Sequence, residues 1–246
     1  LLWLAALQYA KAGAPPALVL DTTDFATKLR AAPGLLWNAP TLLRGLRYVA
    51  AVRRRNVPAA EGAVPLAIEG EGEVTALRWR DAAGVEQRTA CDAVALGWGL
   101  KPETQLADLA GIPFAFDAQQ RGWLPQRDAA GRTPVAALYL AGDGAAIGGA
   151  EVAELAGARA ALAVLSDHGL PADAALVAQL DRWLRTVARF RAALERAFPF
   201  PAALAAAMPD ETLLCRCEAI TAGELRAAAA AEAPELNRAK AFSRVG

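Results

Sequence analysis

Apolar runs of strand type alternate with stretches of helical periodicity along this chain, which predicts an α/β fold. Three observations carry that reading. Residues 1–12 are helical by the spacing of Leu1, Leu4, Ala5 and Tyr9, and the buried run Ala17-Leu-Val-Leu20 that follows ends in Asp21. Residues 138–141 form a second apolar run, stopped by Gly142-Asp143-Gly144; beyond Gly148-Gly149, the residues Val152, Leu155, Ala156 and Leu162 recur at helical spacing. Between these, residues 64–89 switch to strand period.

Composition bounds the rest. With 246 residues and 55% hydrophobic content, the chain can build the core of one large domain or two smaller ones. Lys plus Arg equals Asp plus Glu at 26 each, so no excess charge points to nucleic acid or to an anionic membrane surface. No apolar run approaches the roughly 20 residues of a transmembrane helix, and no charged region precedes a short apolar one as in a signal peptide, so the expected location is cytoplasmic. The chain opens on Leu in mid-pattern, and we expect it to be a fragment of a longer protein.

The elements follow in order. Gly13 and Pro15-Pro16 close the first helix, and Asp21, at the end of the strand after it, is a candidate nucleotide-ribose contact or a solvated loop acid. Residues 40–55 are helical through Leu42, Leu43, Leu46, Val49 and Ala50, with Pro40 in the first turn and Arg53-Arg54-Arg55 at the C-terminal end. Residues 64–69, 73–80 and 85–89 read as an antiparallel meander joined by Gly-Glu-Gly and Asp-Ala-Ala-Gly turns. Residues 92–104 read as another strand that ends in a glycine turn, with Cys91 a small buried hydrophobe. Residues 174–198 are a long amphipathic helix whose arginines cover a wet face, and residues 199–209, rich in Pro and Ala, read as a linker. The single histidine, His168, stands in a loop and receives no chemistry; no catalytic residue is assigned.

Two stretches carry chemistry. The Gly142-Asp143-Gly144 loop and the Gly148-Gly149-Ala150 turn are either tight turns or a ligand cradle. In the second case a helix N-terminus with unpartnered N–H groups faces an electron-rich group, and Asp143 is the polar anchor. The Cys215-Arg-Cys217 stretch precedes Thr221 and Glu224, which form a capping box for the alanine-rich helix after them. Two thiols one residue apart are poorly placed for a relaxed mutual disulfide but can turn toward one metal, iron or zinc; the alternative is an incidental reduced pair.

Tyr-Leu-Ala-Gly-Asp at 139–143, the Gly-Gly at 148–149 and the helix bearing Gly157 resemble the second flavin motif of the glutathione-reductase-like family. With residues 92–104, the Gln105-Leu-Ala-Asp-Leu segment, Trp123-Leu-Pro-Gln-Arg-Asp and Gly131-Arg132, the chain resembles the alpha subunits of FAD-dependent amino-acid and opine dehydrogenases. Opine oxidase, hydrogen cyanide synthase and proline or hydroxyproline dehydrogenase relatives belong to that family. The resemblance implies a two-dinucleotide-binding-domain flavoprotein of Rossmann-like type. Gly142, Asp143, Gly148, Gly149 and Ala150 would contact FAD, with Asp143 on a ribityl hydroxyl. Asp21 would meet NAD(P) or another adenine nucleotide.

Cys-Arg-Cys-Glu followed by Thr-x-x-Glu resembles the bacterioferritin-associated-ferredoxin-like domain, a small helical 2Fe-2S module. Cys215 and Cys217 would be two of its four metal ligands. In that family the second pair follows a segment like residues 237–244, and this sequence stops at Gly246 without it.

The implied domains are residues 1–90, a partial NAD(P)-like nucleotide-binding domain with the meander, and 91–168, the C-terminal part of the FAD domain. Residues 169–209 would be a helical segment and linker, and 210–246 the first part of the 2Fe-2S domain. The implied function is an electron-transferring FAD-dependent oxidoreductase subunit that oxidises a C–N bond of an amino acid or opine. A beta subunit with its own FAD is the implied partner. The alternatives are an NAD(P)H-dependent flavoprotein reductase and a non-catalytic nucleotide-binding assembly subunit.

Overall fold

The computed structural model describes residues 2–230, so the 237–244 segment lies outside the described residues. The fold is mixed α/β, with helices and several small sheets, and it divides after Phe200 into two compact units. No helix among the described residues is long and apolar enough to cross a membrane.

The first unit opens with α1 (Leu2–Lys11), which buries Ala6 and Leu7 against the next strand, β1 (Val19–Asp21). Helix α2 (Phe25–Leu35) starts at Asp24, whose Oδ1 accepts the Thr27 N–H at 2.8 Å. Its sequence mixes Gly34, Pro33 and polar residues, so helical spacing alone did not announce it. A short 3-10 turn then leads into α3 (Ala39–Arg53), where Pro40 sits in the first turn and Asn38 caps Thr41. The chain returns as β2 (Ala59–Glu61), which pairs in parallel with β1 in the register Val19 to Ala59. Parallel pairing requires a long crossover, and α2 and α3 supply it. Val52, fully buried, packs with Ala6, Leu7, Val19 and Val57 to form the core of this βαβ-like piece.

The expected meander is present as β3 (Val64–Glu69), β4 (Ala76–Arg80) and β5 (Glu86–Ala90), paired antiparallel in sequence order. Residues 92–104, expected to be a strand, carry no ladder: Leu96 and Leu100 are each 61% exposed and Trp98 43%. Apolar content makes a strand only where a second strand offers N–H and C=O groups alongside, and no strand among the described residues does so here. Instead α4 (Gln105–Leu109) follows, then a hairpin of β6 (Phe114–Asp117) and β7 (Gly122–Pro125) that the sequence pattern did not reveal.

Residues 138–141 are likewise not a sheet strand. They fold back on residues 131–133 through one antiparallel bridge, Arg132 to Tyr139, with Leu140 N–H donating to Gly131 O at 2.8 Å. Helix α5 (Ala150–Asp167) follows, then α6 (Ala174–Ala197), capped by Asp173 and packed against α2 through Ala31, Leu35, Phe190, Ala193 and Ala197. The long helix expected over 174–198 is thus present.

The second unit contains a short helix, α7 (Ala202–Ala206), inside the stretch expected to be a linker, since its alanines favour helix despite the flanking prolines. After it come an antiparallel pair, β8 (Leu213–Cys215) with β9 (Ile220–Thr221), and α8 (Ala222–Ala230). Arg226 ties this unit together, donating to Met208 O at 2.7 Å and Ala206 O at 3.2 Å and pairing with Asp210.

Candidate functional site

The glycine loop is built by local conformations that most residues resist. Gly142 opens a 3-10 turn over Gly142–Gly144, and Gly149 caps α5 at φ 87°, a left-handed value that a side chain disfavours. Gly148 is needed for a different reason: a Cβ there would lie 2.5 Å from a Val152 methyl. No side chain caps α5 at Gly149, so its first N–H groups are left without side-chain acceptors. Asp143, beside that turn, is exposed and makes no hydrogen bond or ion pair among the described residues.

A latch fixes the other end of α5. Arg132 grips Asp167 with two hydrogen bonds, Nε to Oδ2 at 2.6 Å and Nη2 to Oδ1 at 2.7 Å, and Tyr139 donates its hydroxyl to Asp167 at 2.7 Å. These bonds hold the Asp167 carboxyl down at about 2, Arg132 contributing most and Tyr139 next. The same contact raises Arg132 and Tyr139 above their ordinary values.

Between α5 and α6 lies a cleft of about 220 Å³. Gly142 and Gly148 border it, together with Val152, Ala153 and Ala156 of α5, Leu184, Val187 and Arg191 of α6, and the β6–β7 turn at Asp117 and Gln120. Asp143, Gly149 and Ala150 are not among its lining. Arg127 lines this cleft and also borders a shallower depression formed by residues 126–134, where Asp128 and Arg132 pair at 3.4 Å. In the sequence Arg191 reads as one of the arginines on the wet face of its helix and Arg127 only as part of the Trp123-Leu-Pro-Gln-Arg-Asp segment; the structure instead brings Arg191 to Gly148 O across 43 residues.

Asp21 lies elsewhere, at the C-terminal end of the parallel pair, the end of a parallel sheet where ligands bind. Its Oδ1 accepts the Thr23 N–H at 2.9 Å and its buried Oδ2 meets the Lys28 ammonium at 2.7 Å. Lys28 also reaches Glu61 at 3.3 Å, and Arg53 pairs with Glu61. The carboxylate is therefore engaged by an internal cation.

In the second unit, Cys215 Sγ and Cys217 Sγ are 3.4 Å apart, Cys215 buried and Cys217 exposed. The capping box forms in full: Thr221 N–H donates to Glu224 at 2.8 Å and Glu224 N–H to the Thr221 hydroxyl at 3.3 Å. His168 ends α5 exposed, its N–H bonded to Val164 and Leu165 carbonyls.

The fit to the implied groups is uneven. An uncapped helix start beside an exposed, unbonded Asp143 suits a flavin's polar edge and ribityl chain. A cleft smaller than the ~300–1,000 Å³ of drug-sized ligand sites does not enclose a dinucleotide. For a 2Fe-2S cluster the adjacent thiols fit as one ligand pair, but four thiolates are required and the chain has 3 cysteines, with Cys91 in the other unit. Among the described residues, no group of three or more His, Cys, Asp or Glu could hold a metal.

No family model matches the chain, and no solved structure matches it. Curated proteins do. Over its whole length the chain is 35% identical to an opine oxidase subunit of Rhizobium meliloti, of which it covers 47%. It is 36% identical to the opine oxidase subunit of the same name from Agrobacterium tumefaciens (strain Ach5), of which it covers 50%. It is also 28% identical, over 93% of its length, to "Hydrogen cyanide synthase subunit HcnB" of Pseudomonas aeruginosa, of which it covers 51%. The chain spans about half the length of the curated relatives it matches. Each of those names designates one subunit of an enzyme, and through them the chain is related to an oxidoreductase family.

Proposed function

We propose that this chain is part of an FAD-dependent oxidoreductase subunit that takes electrons from C–N oxidation of an amino acid or opine and passes them to a 2Fe-2S cluster. The observation that carries the reading is the match of the entire chain to one and the same opine oxidase subunit, at 35% and 36% identity in two organisms. FAD, when bound, would supply the electron acceptance, and the protein would hold and orient it. In this reading Asp143 accepts a hydrogen bond from a ribityl hydroxyl, and the uncapped start of α5 offers N–H groups to the flavin's carbonyl edge. Cys215 and Cys217 supply two of the four thiolates that the cluster requires. A second, substrate-oxidising subunit with its own FAD completes the enzyme, in a cytoplasmic complex.

The test is an absorption spectrum with flavin and iron assays on the protein expressed in its full reading frame, wild type beside Asp143→Ala. Wild type is expected to carry flavin and iron, and Asp143→Ala to lose roughly tenfold in flavin affinity, the weight of one or two hydrogen bonds. Absence of flavin from the wild-type protein would sink the reading. Reduction of the flavin by NADH and by no amino acid or opine would replace it with the reductase alternative.

A further inference from the structure

Between the 3-10 turn and the start of α5, the chain passes through Ile147-Gly148-Gly149 with little backbone support. Ala146 N–H donates to Gly142 O at 3.2 Å and Gly149 O accepts the Ala153 N–H at 3.0 Å, but between them Ile147 N–H and Gly148 O have no backbone partner among the described residues. Two consecutive glycines are conformationally free, so holding them in one shape is opposed by a large loss of entropy. A stiffer residue is excluded at 148, where a Cβ would lie 2.5 Å from Val152. The shape of this turn therefore depends on groups that reach it from elsewhere.

Two side chains do so, from two different elements. Gln120 Oε1 accepts the Ile147 N–H at 3.1 Å across 27 residues, and Arg191 Nη1 donates to Gly148 O at 3.3 Å across 43. Each is itself aimed by a neighbour. The Gln120 N–H donates to Asp117 Oδ1 at 2.7 Å, which fixes the β6–β7 turn, and Arg191 Nη2 donates to Glu195, one turn further along α6, at 3.3 Å. Gln120 and Arg191 are both half-buried, which limits the competition of water for these bonds. Because they grip adjacent residues, one through an N–H and the other through a carbonyl, the turn cannot pivot about a single tether.

We propose that Gln120 and Arg191 are positioning residues, which clamp the Ile147-Gly148-Gly149 turn in the shape that presents the start of α5 to the flavin. The clamp as an element of structure stands on the two bonds alone; its service to the flavin rests on the functional reading above. Loss of either tether lowers the fraction of molecules whose turn has the binding shape, and apparent affinity falls with that fraction.

The experiment compares the full-frame protein in wild type, Gln120→Ala, Gln120→Glu and Arg191→Met by two measurements: hydrogen exchange at the Ile147 amide in protein freed of flavin, and flavin affinity on adding FAD back. Circular dichroism confirms that each variant keeps its helical content. Exchange is expected to be about tenfold faster in Gln120→Ala, the weight of one hydrogen bond, and several-fold faster in Arg191→Met. Flavin affinity is expected to fall at least about threefold in both. Gln120→Glu, which keeps an oxygen acceptor, is expected to restore both readouts, which a role in packing alone would not predict. Exchange at wild-type rates in both Gln120→Ala and Arg191→Met, a glutamate variant as loose as the alanine one, or full flavin affinity in variants whose Ile147 amide has been loosened would each overturn the proposal. A wild-type protein that takes up no FAD would overturn the flavin reading and the clamp's service to it, while the exchange rates alone still decide whether the clamp exists.

Discussion

At the residue scale, Asp167 is the side chain whose environment makes the sharpest demand. Three hydrogen bonds reach its two oxygens, two from Arg132 and one from Tyr139. All favour the ionised form, so the carboxyl lies at about 2 in the folded chain against 3.8 ordinarily. The sign follows: the unfolded chain binds the proton first as pH falls, so the latch contributes its full stabilisation above 3.8 and loses it as pH drops through about 2. Carbon-13 titration of the Asp167 carboxyl is expected to give a midpoint near 2, rising toward the ordinary value in Tyr139→Phe, which removes one donor. A wild-type midpoint at 3.8 would mean that the latch does not close in solution. The consequence reaches the glycine loop, because the latch pins the segment entering Gly142 to the C-terminal end of the helix that leaves Gly149.

At the element scale, the capping box at the start of α8 fixes how the loop with the two thiols enters its helix. Thr221→Ala removes the acceptor of the Glu224 N–H, and the expected cost is about 1 kcal/mol of helix stability. Faster amide exchange at Glu224 in that variant, with near-wild-type exchange in Thr221→Ser, is the expected reading; unchanged protection in the alanine variant would show that the helix is held by Arg226 alone. This box was legible in the sequence because its partners are three residues apart. The same locality made α1, α3, α6 and the β3–β5 meander legible: helical spacing and turn residues act within one element. Residues 92–104 and 138–141 were misread because a strand is decided by a neighbour that the run itself does not encode. Helix α2 was missed because its cap, Asp24 on Thr27, is a stronger signal than its apolar spacing.

Across the whole molecule, the candidate residues fall into three places, and their legibility follows the distance over which each is assembled. The Asp143 loop and the Cys215–Cys217 pair are short stretches, readable as motifs, whereas the Arg132–Asp167 latch closes over 35 residues and the Arg191–Gly148 contact over 43. Asp143 belongs to the first compact unit and the thiols to the second. Each unit has its own ties: the α2–α6 core in the first, and Arg226 on Met208 and Ala206 in the second. Lesions in the two proposed cofactor sites should therefore separate. In the full-frame protein, Cys215→Ser with Cys217→Ser is expected to abolish iron while flavin content stays at the wild-type level. Asp143→Ala is expected to lower flavin and spare iron. Serine keeps the size of the side chain but replaces a soft thiolate with a weak hard ligand, so loss of iron reports ligation rather than packing. Iron retained in the double serine variant would remove these thiols from the cluster, and flavin lost together with iron would show that the two sites are not independent.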